Sequence, residues 1–307
     1  MIVQFRGLAL ALLGLVCGAA FPVKAGSDDG VLVLGRISDD PHEHYAQLKP
    51  LLDYVVPRMA NVGIREGQIL MAKDAQQMAS YLRRGKVDWV TETAASAVLL
   101  QDRANAQPIL LTERDGTSYY RSIFFARRDS GIQSLDDLRG HSVAFQRFSS
   151  TSAYYVPAAE LLGLGLRLEL LLSPTDGVAS DEVGYLFARS ELNISTWVHK
   201  RLVDAGAMSN LDWENPRRMP PTFARDFVII GKSEPYPRAL ELVRGNLDER
   251  VRDRLAQVLV DAASDPDASE ALLKFFRTTR FLPLDEAARA SLSRLATRID
   301  RVHREVE

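Results

Sequence analysis

The sequence predicts an α/β fold in two lobes, and three observations carry this. Short runs of branched apolar residues alternate with segments of helical period, which describes βαβ units in mixed, mainly parallel sheets flanked by helices. Behind an N-terminal export leader stand roughly 280 residues, more than one hydrophobic core usually serves. An aspartate also opens a strand directly after a helix twice, in "KVDWV" (86–90) and "LVDAGA" (202–207), a short echo that fits two similar lobes facing across a cleft.

The elements follow in order. Arg6 and the apolar stretch 8–20 make a signal peptide, with "VKA" before Gly26 as the cleavage site. The stretch is too short for a stable membrane span. Cys17 lies within it and lacks the small neighbours of a lipidation site, so the exported chain keeps no cysteine. "VLVLGR" (31–36) is a buried strand, and 45–59 has the helical spacing Leu48, Leu51, Leu52, Val55, Val56, with Pro50 delaying or kinking it. Strand 67–72 follows, then a helix from the Asp74 cap to the Gly85 stop, a strand 87–92, a helix 93–105 and a strand 107–113. From Tyr120 the order becomes strand, turn at "DSG", short helix at "SLDDLRG" and strand 142–145. The segments 153–163 and 191–202 read as helices, 203–208 and 226–232 as strands, and everything from "PYPRALELVRG" to the C-terminus as helical. The expected division is 1–25 signal peptide, 26–118 plus 225–307 lobe 1, and 119–224 lobe 2, with crossings near 116–122 and 220–226.

Net charge is −2 with no basic block, so nucleic acid is not an expected partner. No thiolate, nucleophile elbow, phosphate-cradling glycine loop or paired-acid motif stands in the exported chain, and "LLGLGLRL" lacks dinucleotide spacing. Neither an enzyme nor a cofactor is expected.

"RFSSTSAYYVP" (147–157) places Ser149, Ser150, Thr151 and Ser152 between a strand and a helix. One hydroxyl suffices as a cap. Four fit either a cap with a polar loop or a socket for an oxyanion, since a helix start offers free N–H groups and the positive end of the macrodipole.

The chain resembles the phosphate, phosphite and phosphonate substrate-binding proteins of ABC transporters, the PhnD type. "SGIQSLDDLRGHSVAFQRFSSTSAYYVP" carries the resemblance most strongly, supported by "SEPYPRALELVRGNLDERVRDRL", "GKVDWV" and "RLVDAGAMSN". It spans nearly the whole exported chain. It implies a two-lobed type II periplasmic-binding-protein fold, a small oxyanion held at the hydroxyl helix start, an ABC permease as partner, a periplasmic location and a monomer without a membrane span after signal cleavage. Two departures stand out. Ala153 replaces the family's usual glycine, and "TET" (91–93) puts the carboxylate of Glu92 where an aromatic-Gly-Pro loop is common. The ligand is then an unusual anion, one with its own cation, or one bound protonated. A sensory role beside a membrane kinase is the alternative, since relatives of this family serve as periplasmic partners of histidine kinases.

Further candidates are weighed against plainer roles. Tyr119 and Tyr120 stand at the first crossing, facing ligand or packing the hinge. Thr91 and Thr93 flank the end of the third strand, where open α/β sheets place ligands. Glu92 accepts from the ligand or caps a helix. Asp204 binds a ligand cation, as the resemblance implies for aminophosphonates, or caps the backbone at a strand start. His42 and His44 in "PHEHY" should face the cleft and donate to an anion; as an isolated His-x-His they make no metal site. His141, His199 and His303 read as surface or packing residues.

Overall fold

The computed structural model describes residues 30–306, so the signal peptide, its cleavage site and Cys17 lie outside the described residues. The chain runs β1 (Val31–Ile37), α1 (Pro41–Val55), β2 (Glu66–Ala72), α2 (Ala75–Arg83), β3 (Trp89–Glu92), α3 (Ala94–Ala104) and β4 (Gln107–Arg114). It then crosses through β5 (Tyr119–Tyr120) into β6 (Ser122–Arg127), β7 (Ser142–Phe145), α4 (Val156–Gly163), β8 (Arg167–Leu170), β9 (Glu182–Phe187), α5 (Glu191–His199), β10 (Ala205–Ser209), α6 (Asn210–Trp213), α7 (Pro221–Ala224) and β11 (Phe227–Lys232). It returns through β12 (Tyr236–Pro237) to β13 (Leu240–Val243), α8 (Glu249–Asp261), α9 (Ser269–Lys274), β14 (Thr278–Pro283) and α10 (Glu286–Glu305).

Two six-stranded mixed sheets result, as the α/β reading predicts. The first has the order β14-β4-β13-β3-β1-β2 and the second β11-β6-β10-β7-β9-β8. In the first, β1 runs parallel to both β2 and β3; in the second, β7 runs parallel to β9 and β10. The two crossings meet in a two-stranded ladder, β5 with β12, where Tyr236 stands opposite Tyr120 and Pro237 opposite Tyr119.

The repeated aspartates have one structural job. Asp88 precedes β3 and accepts the N–H of Val33 on β1 at 2.9 Å. Asp204 precedes β10 and accepts the N–H of Ser142 on β7 at 2.8 Å. Each pins one strand of its sheet, β1 or β7, beside its parallel neighbour.

Four expectations are corrected. The first helix starts at Pro41, not 45, because Asp40 caps it through the N–H of Glu43 and proline suits the first helical position. β13 is a strand where a helix was expected. It sits between β3 and β4 and buries Leu240, Glu241, Leu242 and Val243, so burial on both faces overrides a pattern that also fits a helix. β14 and β9 are further strands outside the expected set. β11 belongs to the second sheet, paired antiparallel with β6, so the return to lobe 1 falls after Lys232 and not at 225.

The last helix joins the lobes. Ala288, Leu292, Leu295, Ile299 and Val302 form a buried stripe on α10 that packs against α3 of one lobe and α4 of the other. Each fully buried leucine or isoleucine contributes about 1.5–3 kcal/mol. Arg298 on the flank reaches Glu160 of α4 at 2.7 Å.

Candidate functional site

A cleft of about 950 Å³ opens at the C-terminal ends of the parallel strands of both sheets, lined by residues following β1, β3, β7 and β9. That is where open α/β sheets place ligands. A second hollow of about 840 Å³ lies between α3 and α10, lined by Leu99, Leu292 and Ala296 among others, away from those strand ends.

Ser149, Ser150, Thr151 and Ser152 all line the cleft, but they divide the labour. Ser150 is the cap: its Oγ accepts the N–H of Ala153 at 3.2 Å. Thr151 reaches across the cleft. Its hydroxyl accepts the N–H of Ala95 at 3.0 Å and donates to the hydroxyl of Thr93 at 3.0 Å. It thereby supplies the cap that Thr93, at the N-cap position of α3, does not supply with its own side chain. The carbonyl of Ser152 accepts from the Ser122 hydroxyl at 2.8 Å. The segment opens in a wide turn, with Tyr155 N–H bonded to the Ser150 carbonyl, a geometry found often at functional sites. Two helix starts, one from each lobe, thus meet at one place, with the Ala95 N–H held by Thr151 and the Ala153 N–H by Ser150.

The arginines of the site were not foreseen. Arg36, Arg114, Arg147, Arg189, Arg218 and Arg238 line the cleft together with Lys73. Arg114 is 7 % exposed. Its Nε and Nη2, and Nε of Arg36, are buried without a hydrogen-bond partner among the described residues. Burial and the neighbouring Arg36 pull the Arg114 pKa down to about 9, which leaves it a cation at neutral pH. Burial also lowers that of Arg238, whose Nη1 donates to the Arg114 carbonyl at 2.6 Å.

Phe276 holds this pair of cations. The guanidinium carbons of Arg36 and Arg114 lie 4.5 and 4.4 Å from its ring centroid. The chain reaches this position through two successive left-handed residues, Phe276 (φ 54°) and Arg277 (φ 57°), a strained conformation for non-glycine residues. Deeper, the carboxylate of Glu241 accepts from Trp89 Nε1 (2.6 Å), Thr91 Oγ1 (2.9 Å) and Thr112 Oγ1 (2.6 Å). Burial pushes its pKa up, and these donors and Arg114 oppose the rise.

The cleft gathers Ser149, Ser150, Thr151, Ser152, Thr93, Glu92, Tyr120 and His44 from the sequence candidates. Glu92 is 3 % exposed, and its Oε1 accepts the N–H of Ile37 at 2.7 Å. Burial raises its pKa while Arg36 draws it back. The other candidates stand elsewhere. Thr91 is spent on Glu241. Tyr119 is half-buried in the crossing ladder. Asp204 binds the backbone and hydroxyl of Ser142 at 2.8 and 3.0 Å, the capping role. His42 is exposed on the first turn of α1, whereas His44 lines the cleft and bonds Ser38 Oγ at 2.6 Å.

The family of periplasmic substrate-binding proteins of phosphonate ABC transporters matches residues 35–288. The phosphonates-binding periplasmic protein of Escherichia coli (strain K12) is 24% identical over 257 residues, 82% of this chain and 72% of that one. XAC2383 from Xanthomonas citri, solved bound to a chloride ion, is 55% identical, with a TM-score of 0.87 over 90% of this chain and 100% of its own. The same protein bound to ATP is 54% identical, with a TM-score of 0.86 over 91% and 100%. PhnD1 from Prochlorococcus marinus (MIT 9301), in complex with methylphosphonate, shares the fold at 16% identity, with a TM-score of 0.63 over 89% and 99% of the two chains. With two sheets, a cleft at their strand ends and a match over most of its length, the chain belongs to the periplasmic phosphonate-binding family of ABC transporter substrate-binding proteins.

Proposed function

We propose that the protein binds a phosphoryl- or phosphonyl-bearing anion in this cleft, in the periplasm after removal of its leader, and presents it to an ABC permease. One observation carries the reading. Arg114, buried at the cleft wall, keeps two N–H groups without a partner, and a buried guanidinium left so is costly unless a ligand completes it. Two helix starts add neutral donors beside it. A planar fork with free N–H groups suits a tetrahedral oxyanion held in bidentate fashion. The chloride ion and the ATP bound by XAC2383 support an anion site. The cleft volume falls in the range of drug-sized ligands, which favours an anion larger than phosphate.

The test is a thermal-shift and calorimetry panel of phosphate, methylphosphonate, aminoethylphosphonate, pyrophosphate and ATP. At least one should stabilise the chain, by about 2.7 kcal/mol at a hundred times its dissociation constant. Arg114→Met should abolish that shift. A panel without any stabiliser, or an Arg114→Met protein that keeps full affinity, overturns the reading.

A further inference from the structure

We propose that Phe148 and Arg189 form the outer end of the cleft and hold the planar ring of a ligand whose phosphoryl groups lie on Arg114 and the two helix starts. The ligand class is then a nucleoside polyphosphate. This rests on the phosphoryl-anion reading above and extends it to residues that reading does not use.

Phe148 lines the cleft yet is 57 % exposed. It directly precedes the hydroxyl run, so one loop carries both the socket and a bare aromatic face. Phe187, the other phenylalanine of the lining, is already engaged edge-on with Tyr154 and Tyr185. Phe148 makes no ring contact among the described residues.

Arg189 stands on the adjoining loop. β7 and β9 are parallel neighbours with Phe145 opposite Phe187, and the Arg189 N–H donates to the Gln146 carbonyl at 2.7 Å. The two loops are thereby held together. Arg147 is paired with Asp39, and Arg218 with Glu191 and Asp212. The guanidinium of Arg189 has no ion pair among the described residues, and its backbone is left-handed (φ 71°), strain of the kind that collects at ligand sites. An aromatic face and a planar cation make the arrangement that takes a nucleobase by stacking, without reading its edges. The unpartnered cation Arg114 and the helix starts take the phosphates.

Calorimetry of the exported chain with ATP and with inorganic tripolyphosphate separates the two ends. The wild type should bind ATP at least about tenfold more tightly than tripolyphosphate. Phe148→Ala should bring ATP down to the level of tripolyphosphate and leave tripolyphosphate unchanged. Phe148→Trp should restore the preference, with indole emission quenched by ATP and not by tripolyphosphate. Equal loss for both ligands, or no loss for either, overturns the proposal while the phosphoryl reading stands. Binding of methylphosphonate without either polyphosphate does the same. A wild type that binds no phosphoryl or phosphonyl anion overturns both.

Discussion

The Thr151 hydroxyl donates to the Thr93 hydroxyl across 3.0 Å, joining the helix start of one lobe to the helix start of the other. The same oxygen accepts the Ala95 N–H, so a side chain of lobe 2 caps a helix of lobe 1. An oxyanion entering between the helix starts would compete for these donors, which makes Thr151 a switchable cap. Ser150 caps its own helix and is a fixed one.

The two hydroxyls should therefore separate by mutation. Ser150→Ala should cost about 1 kcal/mol, the typical worth of a cap, or about 2–4 °C in a chain of this size, and keep the ligand-induced shift. Thr151→Val should lose most of that shift. Differential scanning fluorimetry with and without ATP checks both; a full shift retained by Thr151→Val counts against the socket.

Asp204 should act on stability alone. Asp204→Ala leaves the Ser142 N–H and hydroxyl without their acceptor, a cost of about 1–3 kcal/mol. Affinities for aminoethylphosphonate and methylphosphonate should keep their ratio. Asp88→Ala should cost more, about 3–5 kcal/mol, because it strands the buried Arg244, whose Nε donates to Asp88 at 2.8 Å. Urea unfolding measures both; a changed ligand ratio in Asp204→Ala would restore it to the site.

Glu241→Ala should destabilise by several kcal/mol, since it strands an indole N–H and two hydroxyls at about 1–3 kcal/mol each. Glu241→Gln keeps an acceptor and should recover part of the loss. Urea midpoints, with Trp89 emission as local probe, decide it; equal midpoints for wild type and Glu241→Ala would dismiss the network.

His44 should make stability pH-dependent. Burial, then Arg36, lowers its pKa from 6.5 to about 4 in the folded chain. Between those values the unfolded chain binds more protons, so this contribution is complete above pH 6.5 and drains away as pH falls toward 4. His44→Asn should flatten that part of the profile. A bound anion raises the His44 pKa, so affinity should climb on acidification across the same window in the wild type and less so in His44→Asn. Identical profiles for the two proteins would exclude His44 from both effects.

The βαβ half of lobe 1 was legible because each strand is a local apolar run and α1 and α2 carry their own caps, Asp40 and Asp74. β13 was not: "LELV" fits either period, and its neighbours β3 and β4 are supplied by residues far back in the chain. The hydroxyl run was legible because it is contiguous. The arginines were not, since each stands alone in sequence and only the fold brings Arg36, Arg114, Arg189 and Arg238 to one cleft. The choice between His42 and His44 was within reach. Asp40, Pro41 and Glu43 mark a helix start, and a helix turns residues two apart to different faces. The left-handed backbone at Phe276 has no sequence signal, as phenylalanine is not a residue that favours it.

The paired crossings, Tyr119–Tyr120 and Tyr236–Pro237, have a mechanical consequence. Two separate tethers would let the lobes swivel like a ball joint. Two tethers hydrogen-bonded side by side form a ribbon, which bends easily across its thin direction and resists twist and sideways shear. Any relative movement of the lobes would thereby be steered toward a single axis, as in a door hung on a piano hinge, and such an axis would bring the two helix starts back together in register.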